Sequence, residues 1–547
     1  MFAVAGATLS ALPCFGNTER PNFLIIMLDD FGIGQFAPMA EMITEEMFDP
    51  AAVQYFAEQP GEPYSNQEAL IAARKAMPTM SRLSRNGLLF SNAFTSSPLC
   101  APSRCGLATG IHQSRFGIYE NSDANAWPGV LPPERILARS FKDAGYATGH
   151  IGKWHLAPLD DMQSAPILEK HGLPAKTNVH SLKKDNPAYI ELEHAGFYGS
   201  TPDYLHPLNN GFDYYFGYNF HETPLYDSYD IWENFSHAGK QERFNTEVFT
   251  EKAIQFVQAS IKEKKPFLLN VHYHAVHGPL VPDTPPEYLK PFEGMPFILA
   301  NFYSKVFAAD EGIRRLVETL EQAGLLDNTL IVFTSDNGTP IYERCPLPGN
   351  APHRGHKGNY FLGGIHVPLV MYWPARIKEG RQTDELVSLL DIMPTAMNAA
   401  GISVPENLDG KSLLPLMDGG ENGPHEYLTW FGLHSRTWGF SRVTAPGWQR
   451  IRQKEPGSWT VVNKDWILRF TGQIIPGMYN DYPEGSAPQY ELYSMQNEPG
   501  ETVNCFEQHP EIAAQLRSVA AKRIEDTLPP AKWNREKWQE LRNSFDE

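Results

Sequence analysis

The segment Phe23-Leu-Ile-Ile-Met-Leu-Asp29-Asp30 is an uninterrupted apolar run that ends in two carboxylates. A second run, Thr329-Leu-Ile-Val-Phe-Thr334, ends in Ser335-Asp336-Asn337-Gly338, and a third, Phe267-Leu-Leu-Asn-Val271, leads into a stretch rich in histidine. Short apolar runs without alternation are typical of strands in a sheet that is covered on both faces. The sequence therefore predicts three buried strands with polar groups at their carboxyl ends.

Amphipathic helices are predicted between these strands. Apolar residues recur at helical spacing from Ala253 to Ile261 and from Ile313 to Leu320, and Gly324 follows the second series as a stop signal. Strands that alternate with helices indicate an α/β core. In such sheets ligands bind at the carboxyl ends of the strands, which is where the polar clusters of this sequence lie.

The character of the sequence changes after about residue 420, where Gly419-Gly420 and Gly423-Pro424 indicate a boundary. Three short strand patterns and an amphipathic helix pattern follow, at 458–462, 466–470, 490–493 and 512–524. They predict a small antiparallel sheet with a closing helix. We expect a catalytic α/β domain over residues 21–422 and a C-terminal α+β subdomain over residues 423–547.

The chain of 547 residues carries 64 acidic and 46 basic side chains, which gives a formal net charge of −18. This length exceeds one ordinary core and predicts two or three domains. A balance this acidic argues against a nucleic-acid partner, because phosphate binding needs clustered cations. The five cysteines are too few for a disulfide framework, so cysteine usage leaves the redox compartment undecided.

No apolar run is long enough for a membrane-spanning helix, so we expect no integral membrane segment. The opening residues, from Met1 to Pro13, are apolar and small like the core of an export signal, but they lack its cationic start. Residues 1–20 are then either the remnant of an export signal or an apolar extension. The first interpretation is favoured, and it predicts a periplasmic or secreted protein.

Four hard oxygen ligands follow two of the predicted strands, namely Asp29, Asp30, Asp336 and Asn337. Carboxylate and amide oxygens suit Ca²⁺ or Mg²⁺ rather than Zn²⁺. Either pair alone is more often a strand-to-turn exit, since Asp and Asn are common turn residues. Two pairs after two buried strands favour a divalent metal site, with Ca²⁺ preferred and Mg²⁺ as the alternative.

The segment Cys100-Ala-Pro-Ser-Arg104-Cys-Gly-Leu-Ala-Thr109-Gly110 resembles the signature of type I sulfatases, which is Cys-x-Pro-Ser-Arg followed by Thr-Gly. The resemblance runs in family order from about Pro21 to Asn504. Further matching motifs are Gly152-Lys153-Trp154-His155, Val276-His277-Gly278-Pro279, Ser335-Asp336-Asn337-Gly338 and Gly355-His356-Lys357-Gly358. The resemblance implies an alkaline-phosphatase-like fold, with a large mixed sheet flanked by helices and a smaller C-terminal antiparallel sheet plus helix.

In that family the leading cysteine, here Cys100, is oxidised after synthesis to formylglycine by a formylglycine-generating enzyme. The hydrate of this aldehyde is the nucleophile and is bound to the metal, so the resemblance places Cys100 among both the catalytic residues and the metal ligands. It implies that Arg104 holds and polarises the hydrate. Cys105, Cys345 and Cys505 have no such support and are interpreted as structural thiols.

A sulfate ester resists attack because its oxygens carry negative charge, so its hydrolysis needs nearby cations and a proton for the departing oxygen. The resemblance assigns Lys153 and Lys357 to the sulfate oxygens. It assigns His277, together with Lys357, to protonation of the leaving oxygen. It assigns His155 to removal of the hydrate proton, which releases sulfate.

Two positions depart from the family pattern. Leu362 stands where many members carry Glu before Gly-Gly, so the local support of Lys357 is expected to differ. Ala157 stands where Gly often follows His-Leu. Neither residue is among the proposed chemical groups or metal ligands.

Five side chains near these motifs are candidates for substrate contact: His221, His274, His353, Arg354 and His356. His221 lies in a segment from about 160 to 240 that is rich in Pro, Asn, His and Tyr and is predicted to be irregular. Such a segment is either a substrate-facing insertion or a surface loop. Aromatic and polar side chains suit a sugar, so a sulfated saccharide is the preferred substrate and a small aryl or alkyl sulfate is the alternative.

Two other functions stay open from the sequence. A phosphomonoester or phosphonate hydrolase of the same superfamily can also use formylglycine, so the cysteine signature does not separate it from a sulfatase. A non-catalytic glycan-binding relative would keep the fold with an unmodified Cys100. The complete set of charged groups argues against this last possibility.

Overall fold

The computed structural model describes residues 20–58, 61–119, 121, 136–278, 280–341, 345–432, 458–471, 489–495 and 500–528. Its main feature is a ten-stranded mixed sheet, beside which lie a two-stranded and a four-stranded sheet. The strands in chain order are β1 (Asn22–Leu28), β2 (Leu88–Phe90), β3 (Ala93–Phe94), β4 (Ala147–Lys153), β5 (Tyr214–Tyr218), β6 (Trp232–Glu233), β7 (Ser236–His237), β8 (Phe267–His272), β9 (Thr329–Ser335), β10 (Leu369–Tyr372), β11 (Arg381–Thr383), β12 (Val387–Ser388), β13 (Leu428–Gly432), β14 (Ser458–Val462), β15 (Trp466–Thr471) and β16 (Gln489–Ser494).

Strand β1 lies near the middle of the large sheet, whose order is β11-β2-β10-β9-β1-β8-β4-β5-β6-β7. It pairs in parallel with β8 and β9, so that Ile26 lies opposite Val271 on one side and Phe333 on the other. β4 is parallel to β8, whereas β10 is antiparallel to β9. Because β1, β4, β8 and β9 run in one direction, the polar residues that follow them meet at one edge of the sheet.

Helices cover both faces of the large sheet. They are α1 (Ala37–Ala40), α2 (Pro50–Glu58), α3 (Asn66–Lys75), α4 (Pro78–Asn86), α5 (Cys100–Thr109), α6 (Ala138–Asp143), α7 (Asp161–Lys170), α8 (Pro187–His194), α9 (Asn245–Glu263), α10 (Pro286–Leu289), α11 (Phe297–Gln322), α12 (Leu362–Ile365), α13 (Ile392–Ala399), α14 (Leu414–Met417) and α15 (Pro510–Ile524). Leu24 and Ile26 belong to the core beneath α9 and α11, whereas Phe23 and Ile25 belong to the core beneath α5 and α13. Since successive side chains of a strand point to opposite faces, this double cover explains why β1 is apolar throughout.

The C-terminal sheet is an antiparallel meander of β13 to β16, and α15 packs on one of its faces. Its strands and helix contain the patterns predicted from the sequence, and the predicted fold class is confirmed. The other face packs on the main part of the molecule, where Trp430 and Ile467 share a core with Tyr360 and Leu362. The division at residues 422 and 423 stays a prediction.

The segment from about 160 to 240 is more regular than its composition predicts. It contains α7, α8 and β5, and β5 extends the large sheet by pairing in parallel with β4. Aromatic residues make up most of β5, and four of its five residues are buried. The interpretation of this segment as irregular is therefore wrong, because a short aromatic strand is hidden among polar and turn-forming residues.

Within the ranges given above, no helix has both the length and the apolar composition needed to cross a membrane. Residues 1–19, which hold nearly all of the predicted export-signal remnant, lie outside the described residues.

Candidate active site

Four predicted metal ligands meet where β1 and β9 end. Asp29 and Asp30 directly follow β1, Asp336 and Asn337 directly follow β9, and all four side chains are fully buried. The backbone N–H of Asp30 donates to Asp336 Oδ1 at 3.1 Å, and Asn337 Nδ2 donates to Asp30 Oδ1 at 2.7 Å. The parallel register of the two strands therefore brings both polar pairs into one cluster, as their positions in the sequence predict.

Cys100 is the first residue of α5 and lies against this cluster. Its sulfur is 3.7 Å from Asp29 Oδ1 and 3.8 Å from Asp30 Oδ1, and the residue is fully buried. Burial raises the pKa of the Cys100 thiol well above its ordinary value, although the charges of Lys153 and Lys357 act in the opposite direction. The unmodified thiol therefore stays protonated near neutral pH and is a poor nucleophile.

Three cationic side chains pair with the three carboxylates of the cluster. The contacts are Lys153 Nζ to Asp29 Oδ2 at 2.5 Å, Lys357 Nζ to Asp30 Oδ2 at 2.6 Å, and Arg104 Nη2 to Asp336 Oδ2 at 2.7 Å. All six side chains are buried. Buried charges need partners of opposite sign, and here positive and negative groups are equal in number.

Arg104 is held from several directions. Its Nε also donates to Asp336 Oδ2 at 3.0 Å, and its Nη1 donates to the carbonyl oxygen of Lys153 at 3.2 Å. Burial opposes the charge on the guanidinium, but Asp336 and Asp29 outweigh this effect and raise the pKa of Arg104. The side chain is therefore a fixed cation that links the end of β9 to the end of β4.

His272, the last residue of β8, also contacts Arg104, although no sequence motif identifies it as a site residue. Its Nδ1 lies 3.2 Å from Arg104 Nη1. Burial, then the neighbouring His150 and Arg104, lower the pKa of His272 well below its ordinary value. The neutral ring can thus accept a hydrogen bond from Arg104. Its only signal in the sequence was the histidine-rich stretch after the third apolar run.

His277 adjoins Lys357. Its Nε2 lies 3.3 Å from Lys357 Nζ and 3.6 Å from Asp30 Oδ2, and its Nδ1 is 2.7 Å from the carbonyl oxygen of Gly278. A proton on Nδ1 serves that carbonyl, so the lone pair on Nε2 faces the ammonium group. Burial and then the charges of Lys357 and Lys153 lower the pKa of His277 well below its ordinary value.

His155, the other predicted proton carrier, lies two residues beyond the end of β4. It is fully buried, and its backbone is left-handed with a φ of 50°. Few residues other than glycine adopt this conformation without a local reason. The turn after Lys153 thus directs His155 into the interior instead of continuing the strand.

Two of the predicted substrate residues border the cluster. The carbonyl oxygen of His221 accepts a hydrogen bond from Lys153 Nζ at 2.7 Å, and the partly exposed His221 ring lies 3.9 Å from the Phe220 ring, centroid to centroid. His274 is buried, and its Nδ1 lies 2.7 Å from Tyr218 Oη. Burial lowers the pKa of His274 well below its ordinary value.

The other three predicted substrate residues lie in the turn that carries Lys357, which here means residues 353–364. His353 is hydrogen-bonded to His366, and Arg354 Cζ lies 4.6 Å from the centre of the Phe361 ring. His356 Nδ1 lies 2.8 Å from the carbonyl oxygen of the next residue. These contacts are made within the protein, and substrate contact by the three residues stays a prediction.

The donor set of the cluster fits a hard divalent cation. Asn337 Oδ1 is buried and has no hydrogen-bond partner in the described part of the chain. Ligand atoms of Asp29, Asp30, Cys100 and His277 lie within 4.8 Å of one another. The Asn337 amide contacts Asp30 through Nδ2, so a half-turn of this amide brings its oxygen beside the carboxylates as a ligand suitable for Ca²⁺ or Mg²⁺. The residues present therefore fit the metal ion predicted from the sequence.

Residues 21–402 of the chain match the family model described as Sulfatase. The chain is 29% identical to the uncharacterized sulfatase YdeN of Escherichia coli (strain K12), over 97% of this chain and 90% of that protein. It is 26% identical to the N-acetylgalactosamine-6-sulfatase of Canis lupus familiaris, over 75% of this chain and 69% of that protein.

Solved structures share the fold. The crystal structure of Ps i-CgsB in complex with k-i-k-neocarrahexaose matches with a TM-score of 0.67 at 21% sequence identity. The match covers 96% of this chain and 98% of that one. The alkaline-phosphatase-like architecture predicted from the motifs is thereby confirmed.

Proposed function

This chain belongs to the sulfatase family, whose members hydrolyse sulfate esters, and we propose that its substrate is a sulfated saccharide. We further propose that the reaction uses formylglycine made from Cys100 and a divalent metal ion, with Ca²⁺ preferred. The observation that carries this proposal is the arrangement of Cys100, three carboxylates and three cations in one buried cluster at the carboxyl edge of the sheet.

The charges of the cluster suit a sulfate ester. Without ligands the three cations balance the three carboxylates. A divalent metal ion and a singly charged sulfate ester together leave one net positive charge. Negative charge that develops on the leaving oxygen is then stabilised by groups that are already in place, which is how preorganised sites lower a barrier.

The nucleophile is proposed to be formylglycine because the thiol is unsuited to the task. The raised pKa of the Cys100 thiol keeps it protonated, and its sulfur faces carboxylates that repel a thiolate. When present, the hydrated aldehyde supplies an attacking hydroxyl group and a second hydroxyl for the release of sulfate. A formylglycine-generating enzyme is therefore an expected partner during maturation.

The metal ion is proposed to be held by Asp29, Asp30, Asp336 and Asn337, with the modified residue 100 as a further ligand. It would supply Lewis-acid polarisation of the attacking hydroxyl and of a sulfate oxygen. Asn337 Oδ1, which has no hydrogen-bond partner among the described residues, supports this assignment.

The remaining side chains bind sulfate and move protons. Lys153 and Lys357 pair with the same two carboxylates that the Cys100 sulfur contacts, and they bind sulfate oxygens when they exchange part of their contact with Asp29 and Asp30. His277 Nε2 and Lys357 Nζ, 3.3 Å apart, form the pair that delivers a proton to the leaving oxygen. The buried His155 would take the proton of the second hydroxyl group on residue 100, and the loss of this proton would release sulfate.

A saccharide is supported by the relatives and by the surroundings of the cluster. One relative is named for N-acetylgalactosamine-6-sulfate chemistry, and the matching crystal structure contains an oligosaccharide. In this chain the backbone carbonyl of His221 contacts Lys153, and the partly exposed His221 ring packs against the Phe220 ring; an aromatic and a polar ring together suit a sugar.

The test compares sulfate and phosphate esters of 4-nitrophenol and then a panel of defined sulfated oligosaccharides. We expect turnover of the sulfate ester and faster turnover of at least one oligosaccharide. Faster turnover of the phosphate ester would reject the assignment in favour of a phosphomonoesterase. Mass spectrometry of the peptide that contains Cys100, from protein made with a formylglycine-generating enzyme, should show the aldehyde in place of the thiol.

We also propose a periplasmic or secreted location, supported by the apolar opening of the sequence. Fractionation of cells that produce the full chain tests it, and a purely cytoplasmic protein would contradict it.

A further inference from the structure

Glu501 and Arg469 form a buried ion pair in the C-terminal part of the chain. Arg469 lies on β15 and Glu501 follows β16, and their exposed fractions are 2% and 0%. Arg469 Nη2 contacts Glu501 Oε1 directly. A buried pair of this kind is weak evidence for stability by itself, because desolvation opposes the attraction between the two charges. The other contacts of the pair indicate what it does.

The pair reaches the turn that carries Lys357. Glu501 Oε2 accepts a hydrogen bond from the backbone N–H of Leu362 at 3.1 Å, at the first residue of α12. Arg469 Cζ lies 3.6 Å from the centre of the Phe361 ring, which packs as a cation–π contact. The C-terminal sheet thus holds both the backbone and a side chain of this turn.

The two arms of this turn are packed so closely that a shift of the backbone at Leu362 would also move the rest of the turn. The backbone N–H of Gly363 donates to the carbonyl oxygen of Arg354 at 2.8 Å, which closes the turn around Lys357. A Cβ atom on Gly364 would lie 2.1 Å from the carbonyl oxygen of Asn359, so the two arms of the turn are in direct contact. A shift of one arm therefore moves the other.

Lys357 has little freedom of position. Its Nζ contacts Asp30 Oδ2 at 2.6 Å and His277 Nε2 at 3.3 Å, and the backbone N–H of the next residue, Gly358, donates to the carbonyl oxygen of Pro98 at 2.9 Å. Displacements near 1 Å at a catalytic group are enough to reduce rates by about a hundredfold. The contacts of the turn therefore matter for turnover.

We propose that Glu501, oriented by Arg469, is a positioning residue for Lys357, so that the C-terminal sheet sets the geometry of the active site through the N–H of Leu362. The acceptor oxygen on residue 501 is the essential feature, and Arg469 serves to keep that oxygen in place. This inference rests on the function proposed above for Lys357.

Two double variants distinguish the role of the acceptor oxygen on residue 501 from the role of the charges of Glu501 and Arg469. Glu501→Gln with Arg469→Met removes the ion pair and keeps an oxygen for the Leu362 N–H. Glu501→Leu with Arg469→Met removes the ion pair and the oxygen in a side chain of similar size. We expect the first to keep kcat on an aryl sulfate within about threefold of wild type, and the second to lose roughly tenfold to a hundredfold in kcat with a smaller rise in KM.

Asp409→Asn is the matched control. Asp409, whose side chain is 8% exposed, also accepts a backbone N–H, from His112 at 2.9 Å, and it pairs with two arginines, Arg523 at 2.8 Å and Arg115 at 3.2 Å. It lies outside the turn of Lys357. We expect this variant to lower the melting temperature and to leave kcat within about twofold of wild type.

Crystal structures of both double variants supply a readout that does not depend on turnover. We expect the distance from Lys357 Nζ to Asp30 Oδ2 to be kept in the Gln variant and lengthened in the Leu variant. Equal kcat in the two double variants, or an unmoved Lys357 in the Leu variant, would overturn the proposal. If the wild type hydrolyses no sulfate ester, the proposed function fails, and the position of Lys357 still decides the role of Glu501.

Discussion

The sulfur of Cys100 lies 3.7 Å from Asp29 Oδ1, although 71 residues separate the two in the sequence. The contact arises because α5 begins where β1 ends, so that the first residue of the helix faces the acidic cluster. This position does not make a thiol more nucleophilic, since burial and the nearby carboxylates disfavour the thiolate. The same position favours the proposed aldehyde hydrate, because a hydroxyl group there would be polarised by the metal ion.

Cys100→Ala should therefore abolish turnover and leave the fold intact. The substitution removes the only source of the proposed nucleophile, and a small apolar side chain is tolerated in the buried site. We expect kcat to fall by roughly three orders of magnitude or more, with a circular dichroism spectrum and melting temperature close to those of wild type. Cys100→Ser should also be inactive in a host without a serine-type modifying system. Full activity of the alanine variant would refute the assignment.

Removal of the metal ion should lower activity and stability together. A ligand that binds only the folded state raises the free energy of unfolding, by about 2.7 kcal/mol at 100 times its Kd. We expect a chelator to lower the melting temperature and to stop turnover, and re-addition of Ca²⁺ to restore both. Asn337→Ala, which removes the proposed amide ligand, should weaken Ca²⁺ binding by at least about tenfold. Unchanged behaviour after verified metal removal would contradict the oxygen-ligand site.

The end of β1 and the end of β9 could be predicted as neighbours because the pattern of each strand is local. An apolar run followed by carboxylates is visible in a few residues, and parallel strands bring their carboxyl ends to one edge. The motifs around Cys100, Lys153, His277 and Lys357 added the remaining groups through their resemblance to a known family. These features depend on short segments whose role does not change with the rest of the fold.

Contacts between distant segments could not be predicted in this way. His272 reads as an ordinary strand residue, and only the pairing of β8 with β4 places it beside Arg104. Glu501 lies 139 residues from Leu362, and no local sequence pattern in either segment predicts their contact. The strand β5 was also missed, because its aromatic residues lie between turn-forming residues that dominate the composition.

The contact of His272 with Arg104 predicts a measurable contribution to turnover. His272→Leu leaves one N–H of the buried guanidinium without this acceptor, whereas His272→Gln retains an oxygen that can accept the hydrogen bond. We expect the leucine variant to lose about tenfold or more in kcat/KM on an aryl sulfate and the glutamine variant to lose less. Equal effects of the two substitutions would show that ring packing, and not the hydrogen bond, is what matters.

The buried His150 predicts how stability depends on pH. Burial lowers the pKa of His150 from 6.5 to about 3, although its hydrogen bond to the carbonyl oxygen of Lys153 acts in the opposite direction. The unfolded chain then binds a proton below pH 6.5 that the folded chain does not bind. The stabilising contribution of the neutral ring is present above pH 6.5 and is lost as the pH falls toward 3, at about 1.4 kcal/mol per pH unit.

His150→Phe isolates this effect. The phenyl ring keeps the packing against Trp154 and Phe212 and removes the group that titrates. We expect the variant to be less stable than wild type at pH 7.5, because the hydrogen bond to Lys153 is lost. Between pH 6.5 and 4.5 only wild type loses the histidine contribution, about 2.7 kcal/mol over the two pH units, so the difference should shrink and then change sign. Parallel curves of unfolding free energy against pH, measured in urea with Ca²⁺ held constant, would contradict this prediction, because they would mean that His150 takes up its proton at the same pH in the folded and the unfolded protein.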